Sequence, residues 1–421
     1  MPDALLSIAA GASQLCLLEA AKRKGLAVVA VDRDPEAPGF ALADRAVVAS
    51  THDADEVLRA LHAMEGGIDG AGTLPIVAVA TKSSGPPVAT TARVAAALGL
   101  PGLNVMHADD VVHKPGQLAL CERAGVPVPW HMELASPAAL ADLALTFPLV
   151  CKPARPAVGK RAVCRVDDPR ELEEAVRNAS AASGDGSVEL EQFLPGHDVI
   201  LVGLFRDSRF EPLALIDEDT RFLADRSVRG LGLQVPSHLS GQPQETAMVR
   251  HAQRLVAELA LGTGLVWLTF RVCPSTGQAH VLELHFDLAG DGLVDVLLPH
   301  ASDMDLLEAT IDLLRGSPRD RCARPALRPS LLRFVFADDV LGASTSLEAT
   351  SHAQRMRSTV ESLRALSCVQ AVDVRAPQAA EAPDTRLGYV LGEGSGPEAE
   401  AIDRVLGRSP SARQAARESA A

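Results

Sequence analysis

Residues 148–163 read PLVCKPARPAVGKRAV, and their interpretation decides the fold. An apolar run ends in Lys152, a loop with proline, glycine, Lys160 and Arg161 follows, and a second apolar run begins. This order predicts a β-hairpin with a cationic tip. Because desolvating an ammonium group is costly without a partner, a lysine that ends a buried strand indicates an anion such as a triphosphate. The alternative is a surface hairpin with solvated cations.

The composition indicates a globular protein with several structural units. The chain has 421 residues, of which 47% are hydrophobic, enough to form more than one core. Only 3% are aromatic and the net charge is -14, so we expect neither nucleic acid nor an anionic membrane as the main partner. A local basic pocket for a nucleotide is compatible with these values.

The cysteines and the N-terminus predict a cytoplasmic protein. The seven cysteines are scattered, and none belongs to a CxxC pair, which indicates reduced thiols rather than a disulfide framework or a zinc site. The N-terminus lacks the basic segment of a signal peptide, and no apolar run reaches the length of a membrane span. We therefore expect an unprocessed chain with no membrane partner.

The first hundred residues predict a parallel sheet flanked by helices. A strand, a helix and a second strand follow one another between Ala4 and Asp32, and further βα units extend to about residue 103. An acidic residue at the end of the second strand is typical of dinucleotide-binding folds, but only Gly11 remains of the glycine fingerprint. We therefore expect this part to shape a substrate site and to bind no NAD.

Polar residues recur at strand and helix ends through the middle of the chain. A helix is predicted to begin near Lys114, where the backbone favours anions. Glu189 and Glu191 share one face of a strand, and residues 221–236 are predicted to form a long loop, of the kind that often acts as a lid. Two later strands carry polar residues that we expect to converge on one site: Thr269 and Arg271 on the first, and Glu283, His285 and Asp287 on the second.

Six short motifs, in this order, resemble the ATP-grasp superfamily and in particular its carboxylate-amine ligases. They are LLSIAAG with GLAVVAVDRDPEAPGFALAD, then GLPG, HK and AGVPVP, then LVCKPARPAVGKRAV, LEQFLPGHD, VPSHL and LELHFDLAGD. The resemblance implies a leading parallel-sheet α/β domain followed by a two-lobed α+β ATP-grasp fold that holds ATP between its lobes. It also implies the family's reaction, in which a carboxylate and ATP form an acyl phosphate that an amine attacks to give an amide.

The resemblance implies five segments and two small substrates. The segments are a leading α/β domain (1–105), a small lobe with a connecting helix (106–188), a large lobe (189–316), a C-terminal β-rich part packed on the large lobe (325–407) and a flexible tail (408–421). The substrates would be a small-molecule carboxylate and an amine, such as an amino acid or a peptide. A homodimer is one option for the assembly.

The resemblance also assigns an ATP site, residue by residue. The implied contacts are Lys114 and Lys152 to phosphates, Glu191 and the backbone near Phe193 and Leu194 to adenine, and Asp198 to ribose. Asp198 stands where the family usually has a glutamate, so its reach is shorter by one methylene. Lys160, in the cationic loop, is assigned a catalytic role.

Magnesium is implied together with ATP, but the residues of the implied metal site on the two later strands, called the metal floor below, depart from the family's pattern. The family has a glutamate where this chain has Thr269, and of its Glu-x-Asn-Pro-Arg motif only Glu283 remains. We expect Glu283 and His285 to be the ligands of a weakened magnesium site, since this ion prefers hard oxygen ligands. A core histidine is the other interpretation of His285. Arg271 either replaces the lost catalytic arginine or forms a salt bridge with Glu283 or Asp287.

Two functions therefore remain open. The retained lysines and glutamates favour an active, divergent ligase that forms an amide or peptide bond in small-molecule or peptide biosynthesis. The substitutions at the metal floor favour a catalytically impaired ATP-grasp protein that binds a nucleotide or a partner protein. An NAD-linked enzyme is a third class, and the missing glycine fingerprint counts against it.

Overall fold

The strands in the described parts of the chain form three sheets, one parallel and two antiparallel, as predicted. The computed structural model describes residues 2–65, 74–140, 143–155, 162–223, 226–288, 292–317, 324–341, 349–378, 382 and 384–408. Lys160 and residues 409–421 of the predicted tail lie outside these ranges. Arg408, the first residue of that predicted tail, forms ion pairs with Asp339 and Asp403. Within them, no helix combines the length and the apolar character needed to cross a membrane.

The leading part is a parallel four-stranded sheet with helices on its faces, as predicted. Its elements are β1 (Ala4–Ile8), α1 (Leu15–Arg23), β2 (Ala27–Asp32), β3 (Arg45–Val48), α2 (Ala54–Glu65), β4 (Ile76–Ala80) and α3 (Pro86–Ala97). The strand order is β3-β2-β1-β4. Leu5 packs into the core on one face, and Leu6 and Ile8 pack into the core on the other. The order reverses between β1 and β4, a position where open α/β sheets commonly bind ligands.

A small antiparallel sheet follows the connecting helix α4 (Lys114–Arg123). Its elements are β5 (His131–Leu134), β6 (Leu149–Pro153), β7 (Cys164–Val166), α5 (Pro169–Ala182) and β8 (Val188–Gln192). The strand order is β5-β8-β6-β7, so β6 and β7 form the predicted hairpin. Because β8 pairs with β6 on its other edge, Lys152 lies directly opposite Glu189.

A large antiparallel sheet of eight strands makes up most of the rest. Its strands are β9 (His197–Arg206), β10 (Arg209–Phe222), β11 (Val228–Val235), β12 (Gly264–Val272), β13 (Ala279–His285), β14 (Ser330–Phe336), β15 (Val369–Val374) and β16 (Arg386–Glu393). Their order is β13-β12-β9-β10-β11-β14-β16-β15. The C-terminal strands β14, β15 and β16 therefore continue the same sheet as β9 to β13.

Helices cover this sheet and connect its strands. They are α6 (Pro243–Glu258), α7 (Leu298–Ala301), α8 (Leu306–Leu314), α9 (Ala337–Leu341), α10 (Ala349–Arg364) and α11 (Gly396–Val405), with a π-helix at Leu293–Leu297. Single turns of 3-10 helix lie at Ala12–Gln14, Pro38–Ala41, Val105–His107, Asp110–Val112 and Pro137–Leu140.

The prediction of a long loop over residues 221–236 is wrong. The strands β10 and β11 pair there as a hairpin, from Asp217 opposite Gln234 to Phe222 opposite Val228. The glycines Gly230 and Gly232 make β11 hard to predict from sequence, because glycine is normally unfavourable in strands. Gly232 has a packing reason: a Cβ at this position would lie 2.2 Å from the carbonyl oxygen of Leu332 on β14.

Arg333 connects the C-terminal strands to the large lobe through buried charges. Its guanidinium, on β14, lies 3.3 Å from Asp219 on β10 and 3.5 Å from Asp403 on α11. All three side chains are buried. Since charges taken out of water need compensation, each aspartate depends on this arginine for part of its neutralisation.

We expect Arg333→Leu to lower the free energy of unfolding by about 3–5 kcal/mol, because two buried carboxylates lose a partner. Arg328→Leu is the matched control, since Arg328 pairs with Asp303 at a surface where the two side chains are 58% and 95% exposed. The loss of unfolding free energy in Arg328→Leu should stay below about 1 kcal/mol. Denaturant unfolding of both variants measures the difference, and equal losses would contradict this role of Arg333.

Candidate functional site

Lys152 is enclosed by carboxylates of the small sheet. Its Nζ lies 3.2 Å from Glu189 Oε2 and is in contact with Glu191 Oε1. Only 3%, 0% and 3% of Lys152, Glu189 and Glu191 are exposed. The register places Glu189 opposite the lysine, and the two-residue period of β8 turns Glu191 to the same face. The strand-end lysine therefore meets anions of the protein itself, which its sequence neighbours did not indicate.

Lys114 makes a second ion pair, between α4 and the large sheet. It is the first residue of α4, as predicted, and its Nζ donates to Glu283 Oε1 on β13. Burial raises the pKa of Glu283, but the charge of Lys114, the hydrogen bond with His285 and the charge of Lys152 together outweigh this effect, so the pKa lies well below its usual range. Lys152 also lowers the pKa of Glu283, and Lys114 that of Glu189, so both pairs belong to one cluster.

One carboxyl group of the cluster is easy to protonate, chiefly because it is buried. Burial raises the pKa of Glu191 to about 7, although the charge of Lys152 opposes the rise. Burial also lowers the pKa of Lys152, but the charges of Glu189 and Glu191 reverse the effect and leave it raised. His131 Nδ1 lies 3.6 Å from Glu189, whose hydrogen bond raises the pKa of this histidine.

The predicted adenine segment lies at the end of β8. The backbone N–H of Phe193 donates to the Pro148 carbonyl over 3.1 Å, and the Leu194 carbonyl accepts from Arg271 Nη1 at 2.8 Å. The guanidinium of Arg165, on β7, lies 4.1 Å from the centre of the Phe193 ring. Half-buried Phe193 thus offers an apolar surface between the hairpin and the large sheet.

Arg271 and Asp198, which were predicted to have separate roles, bind each other. Arg271 Nε lies 2.5 Å from Asp198 Oδ1, and Thr220 donates to Asp198 Oδ2 at 2.8 Å. Of the two sequence interpretations of Arg271, the salt bridge named Glu283 or Asp287 as the partner, and the structure corrects this to Asp198. The reason is register: Arg271 and Asp198 are directly opposite on β12 and β9, whereas Glu283 is opposite Thr269.

The side chains at the predicted metal floor do not fit a magnesium ion. His285 Nε2 lies 3.2 Å from Glu283 Oε2, and the Trp267 ring packs 4.4 Å from the imidazole. In the described parts of the chain, no three His, Cys, Asp or Glu side chains are grouped to hold an ion. One carboxylate bound to Lys114 and one imidazole are a poor match for an ion that prefers several oxygen ligands.

Lys82 was missed by the sequence interpretation and lies at the switch point of the leading sheet. It is only 6% exposed, and its Nζ is 3.1 Å from Asp295 Oδ2. The other oxygen, Asp295 Oδ1, is buried and has no hydrogen-bond partner among the described residues. Lys82 follows the apolar run PIVAVAT just as Lys152 follows PLVC. A lysine at the end of a predicted buried strand was therefore present in the sequence at both positions.

The Lys82 region adjoins the end of the strand that carries Glu283. The backbone N–H of Leu288 donates to the carbonyl of Thr81 at 3.1 Å, and Leu288 follows the last residue of β13 by three positions. Three residues of extended chain span about 10 Å. The leading sheet therefore ends beside the site between the small and large sheets.

No family model and no curated protein matches the chain. Solved structures do match. An L-amino acid ligase from Bacillus licheniformis is 21% identical over 96% of this chain and 97% of that chain, with a TM-score of 0.73. An N5-carboxyaminoimidazole synthetase from Staphylococcus aureus complexed with ADP is 11% identical (96% of this chain, 97% of that chain, TM-score 0.71), and a biotin carboxylase–β-γ-ATP complex from Campylobacter jejuni is 17% identical (97% of this chain, 91% of that chain, TM-score 0.66). At these identities the likeness shows the fold, and the chain therefore has the ATP-grasp fold that its sequence motifs predict.

Proposed function

We propose that the protein is an ATP-dependent carboxylate-amine ligase that forms an amide or peptide bond through an acyl phosphate. The observation that carries the proposal is the pair of buried lysines, Lys114 and Lys152, which come from different elements and belong to one charge cluster between the two antiparallel sheets. Two converging ammonium groups in a site of low water content are suited to a polyphosphate.

The two lysines would act by exchanging partners. Without nucleotide, Lys114 contacts Glu283 and Lys152 contacts Glu189 and Glu191. With ATP present, their ammonium groups bind phosphate oxygens and offset charge as the substrate carboxylate attacks the γ-phosphorus and ADP leaves. The amine then attacks the acyl carbon, and inorganic phosphate leaves. Such phosphoryl transfer depends mainly on positioning and charge stabilisation, which fixed ammonium groups provide.

The carboxylate substrate would bind on the side of the leading sheet. Lys82 is a nearly buried cation at the switch point between β1 and β4, and it adjoins the end of β13. Its partner Asp295 uses only one oxygen in this pair. An ammonium group placed there suits an anionic group such as the carboxylate of an amino acid or peptide.

A catalytically impaired protein that binds a nucleotide or a partner is the second candidate, and one feature favours it. Glu283, which alone survives from the family's metal motif, is already paired with Lys114, while its cross-strand neighbour is the neutral Thr269. We expect ATP to bind with weak magnesium dependence and turnover to be slow or absent, because charge stabilisation governs the rate. A turnover rate typical of ordinary ligases would rule out the impaired protein.

We expect Lys152→Met to weaken ATP binding by roughly 10- to 150-fold, the equivalent of one charge-assisted contact of about 1.5–3 kcal/mol. Isothermal titration calorimetry measures the affinity. Lys22→Met is the control, since Lys22 pairs with Asp44 on the surface of the leading domain and should not alter it. The double variant Lys152→Met/Glu191→Gln tests whether unpaired carboxylates, rather than the lost contact, cause the effect. Unchanged ATP affinity in both Lys152 variants would refute this assignment.

We expect Glu283→Ala to abolish turnover, and Thr269→Glu with His285→Asn to increase the magnesium dependence of ATP binding. The first change removes the remaining carboxylate of the floor, and the second supplies the family's oxygen ligands. The measurements are phosphate release with a panel of amino acids and ATP titrations with and without magnesium. Brisk ATP hydrolysis that survives Glu283→Ala would show that the metal floor is elsewhere.

We expect Glu191→Gln to bind ATP more tightly than the wild type at about pH 8 and equally at about pH 6. The pKa of Glu191 is raised to about 7, so its carboxyl group is ionised at the higher pH and opposes the triphosphate, whereas at the lower pH it is neutral like the amide. Comparing two proteins at each pH cancels the titration of ATP itself. A difference in ATP affinity between Glu191→Gln and the wild type that is the same at both pH values would contradict this interpretation.

A further inference from the structure

Two cysteines face each other at the base of the β6–β7 hairpin. Cys151 on β6 and Cys164 on β7 are register partners. Cys151 is completely buried and Cys164 is half-buried, and neither forms a disulfide bond in this structure. Neither has a part in the proposed ligase chemistry, although Cys151 immediately precedes Lys152.

The backbone places the two residues in a hydrogen-bonded pair. The N–H of Arg165 donates to the carbonyl of Arg226 over 3.2 Å, on the side of β7 away from β6. Because successive residues of a strand direct their backbone groups to opposite edges, Cys164 directs its groups towards Cys151. In such antiparallel pairs the Cα atoms are about 5.5 Å apart, and disulfides commonly join Cα atoms about 5.5–6 Å apart.

The thiol groups are also close to each other. Hydrogen bonding between the Cys151 and Cys164 thiols, together with burial, raises the pKa of Cys151. Both side chains lie on the same face of the sheet, since they are directly opposite. Short side-chain movements, without a change of register, therefore suffice to bring the sulfur atoms together.

We propose that Cys151 and Cys164 are a redox-active pair, which a low-molecular-weight disulfide oxidises to an intrachain disulfide that joins β6 to β7. The thiolate of Cys164, the more exposed of the two, attacks the reagent disulfide and expels one reagent thiolate. Cys151, as thiolate, then attacks the sulfur of Cys164 and expels the second. Two protein thiols lose two protons and two electrons, and the reagent is reduced to two thiols.

The order of these steps follows from burial. Cys151 is inaccessible and its pKa is raised, so it is a poor first nucleophile towards a reagent in solution. It is, however, next to the sulfur that the reagent would modify. Cys164 therefore captures the oxidant and Cys151 resolves the mixed disulfide.

The test is oxidation of the full-length protein with oxidised glutathione, followed by alkylation, digestion and mass spectrometry. We expect a peptide linked through Cys151 and Cys164 that dithiothreitol separates. Cys151→Ser should stop at glutathione bound to Cys164, because the resolving thiol is missing, and Cys164→Ser should form no link at Cys151. Circular dichroism checks that each variant is folded, and Cys151→Ala and Cys164→Ala replace any that is not.

Cys121→Ser is the matched control. Cys121 is as completely buried as Cys151 but packs in a different core, so its removal should leave the link intact. A wild-type protein that accumulates only glutathione at Cys164, or that links either cysteine to another residue, would overturn the proposal. Neither outcome depends on whether the protein is a ligase.

Discussion

The burial of Lys152 between Glu189 and Glu191 constrains the whole site. An ammonium group that is 3% exposed is tolerated in a protein only when its charge is compensated. Compensation here requires that β8 lie between β5 and β6 in one particular register, since a shift by one residue would turn both glutamates to the opposite face. The fold of the small lobe and the chemistry of its lysine are therefore determined together.

The same cluster makes the site sensitive to any anion that enters. Buried ion pairs contribute little net stability but respond strongly when one partner is removed. A polyphosphate that drew Lys114 and Lys152 away would leave Glu283, Glu189 and Glu191 under-compensated. Under the proposed function, nucleotide binding would therefore be linked to rearrangement or protonation of these carboxylates. His131 is within reach of Glu189 to share in that adjustment.

The sequence predicted local features well and pairings between distant strands poorly. The βαβ units, the β6–β7 hairpin and the start of α4 at Lys114 follow from caps, turns and periodicity. The face shared by Glu189 and Glu191 follows from the two-residue period. Which strands become neighbours does not follow from such signals, so the Lys152–Glu189 and Arg271–Asp198 pairs were not foreseen. The strand β11 was taken for a loop because the need for Gly232 comes from β14, which is remote in sequence.

The order of strands in the large sheet also has a consequence for biosynthesis. The strand β11 ends at Val235, and its partner β14 begins at Ser330, almost a hundred residues later. During translation at roughly 5–20 residues per second, the edge of β11 would wait roughly 5–20 seconds for this partner. On one face of β11 lie the apolar side chains of Leu231, Leu233 and Val235, which are all buried in the finished sheet. An unpaired apolar strand invites association with other chains, so we expect the nascent protein to be prone to aggregation until β14 has been synthesised and can pair with β11.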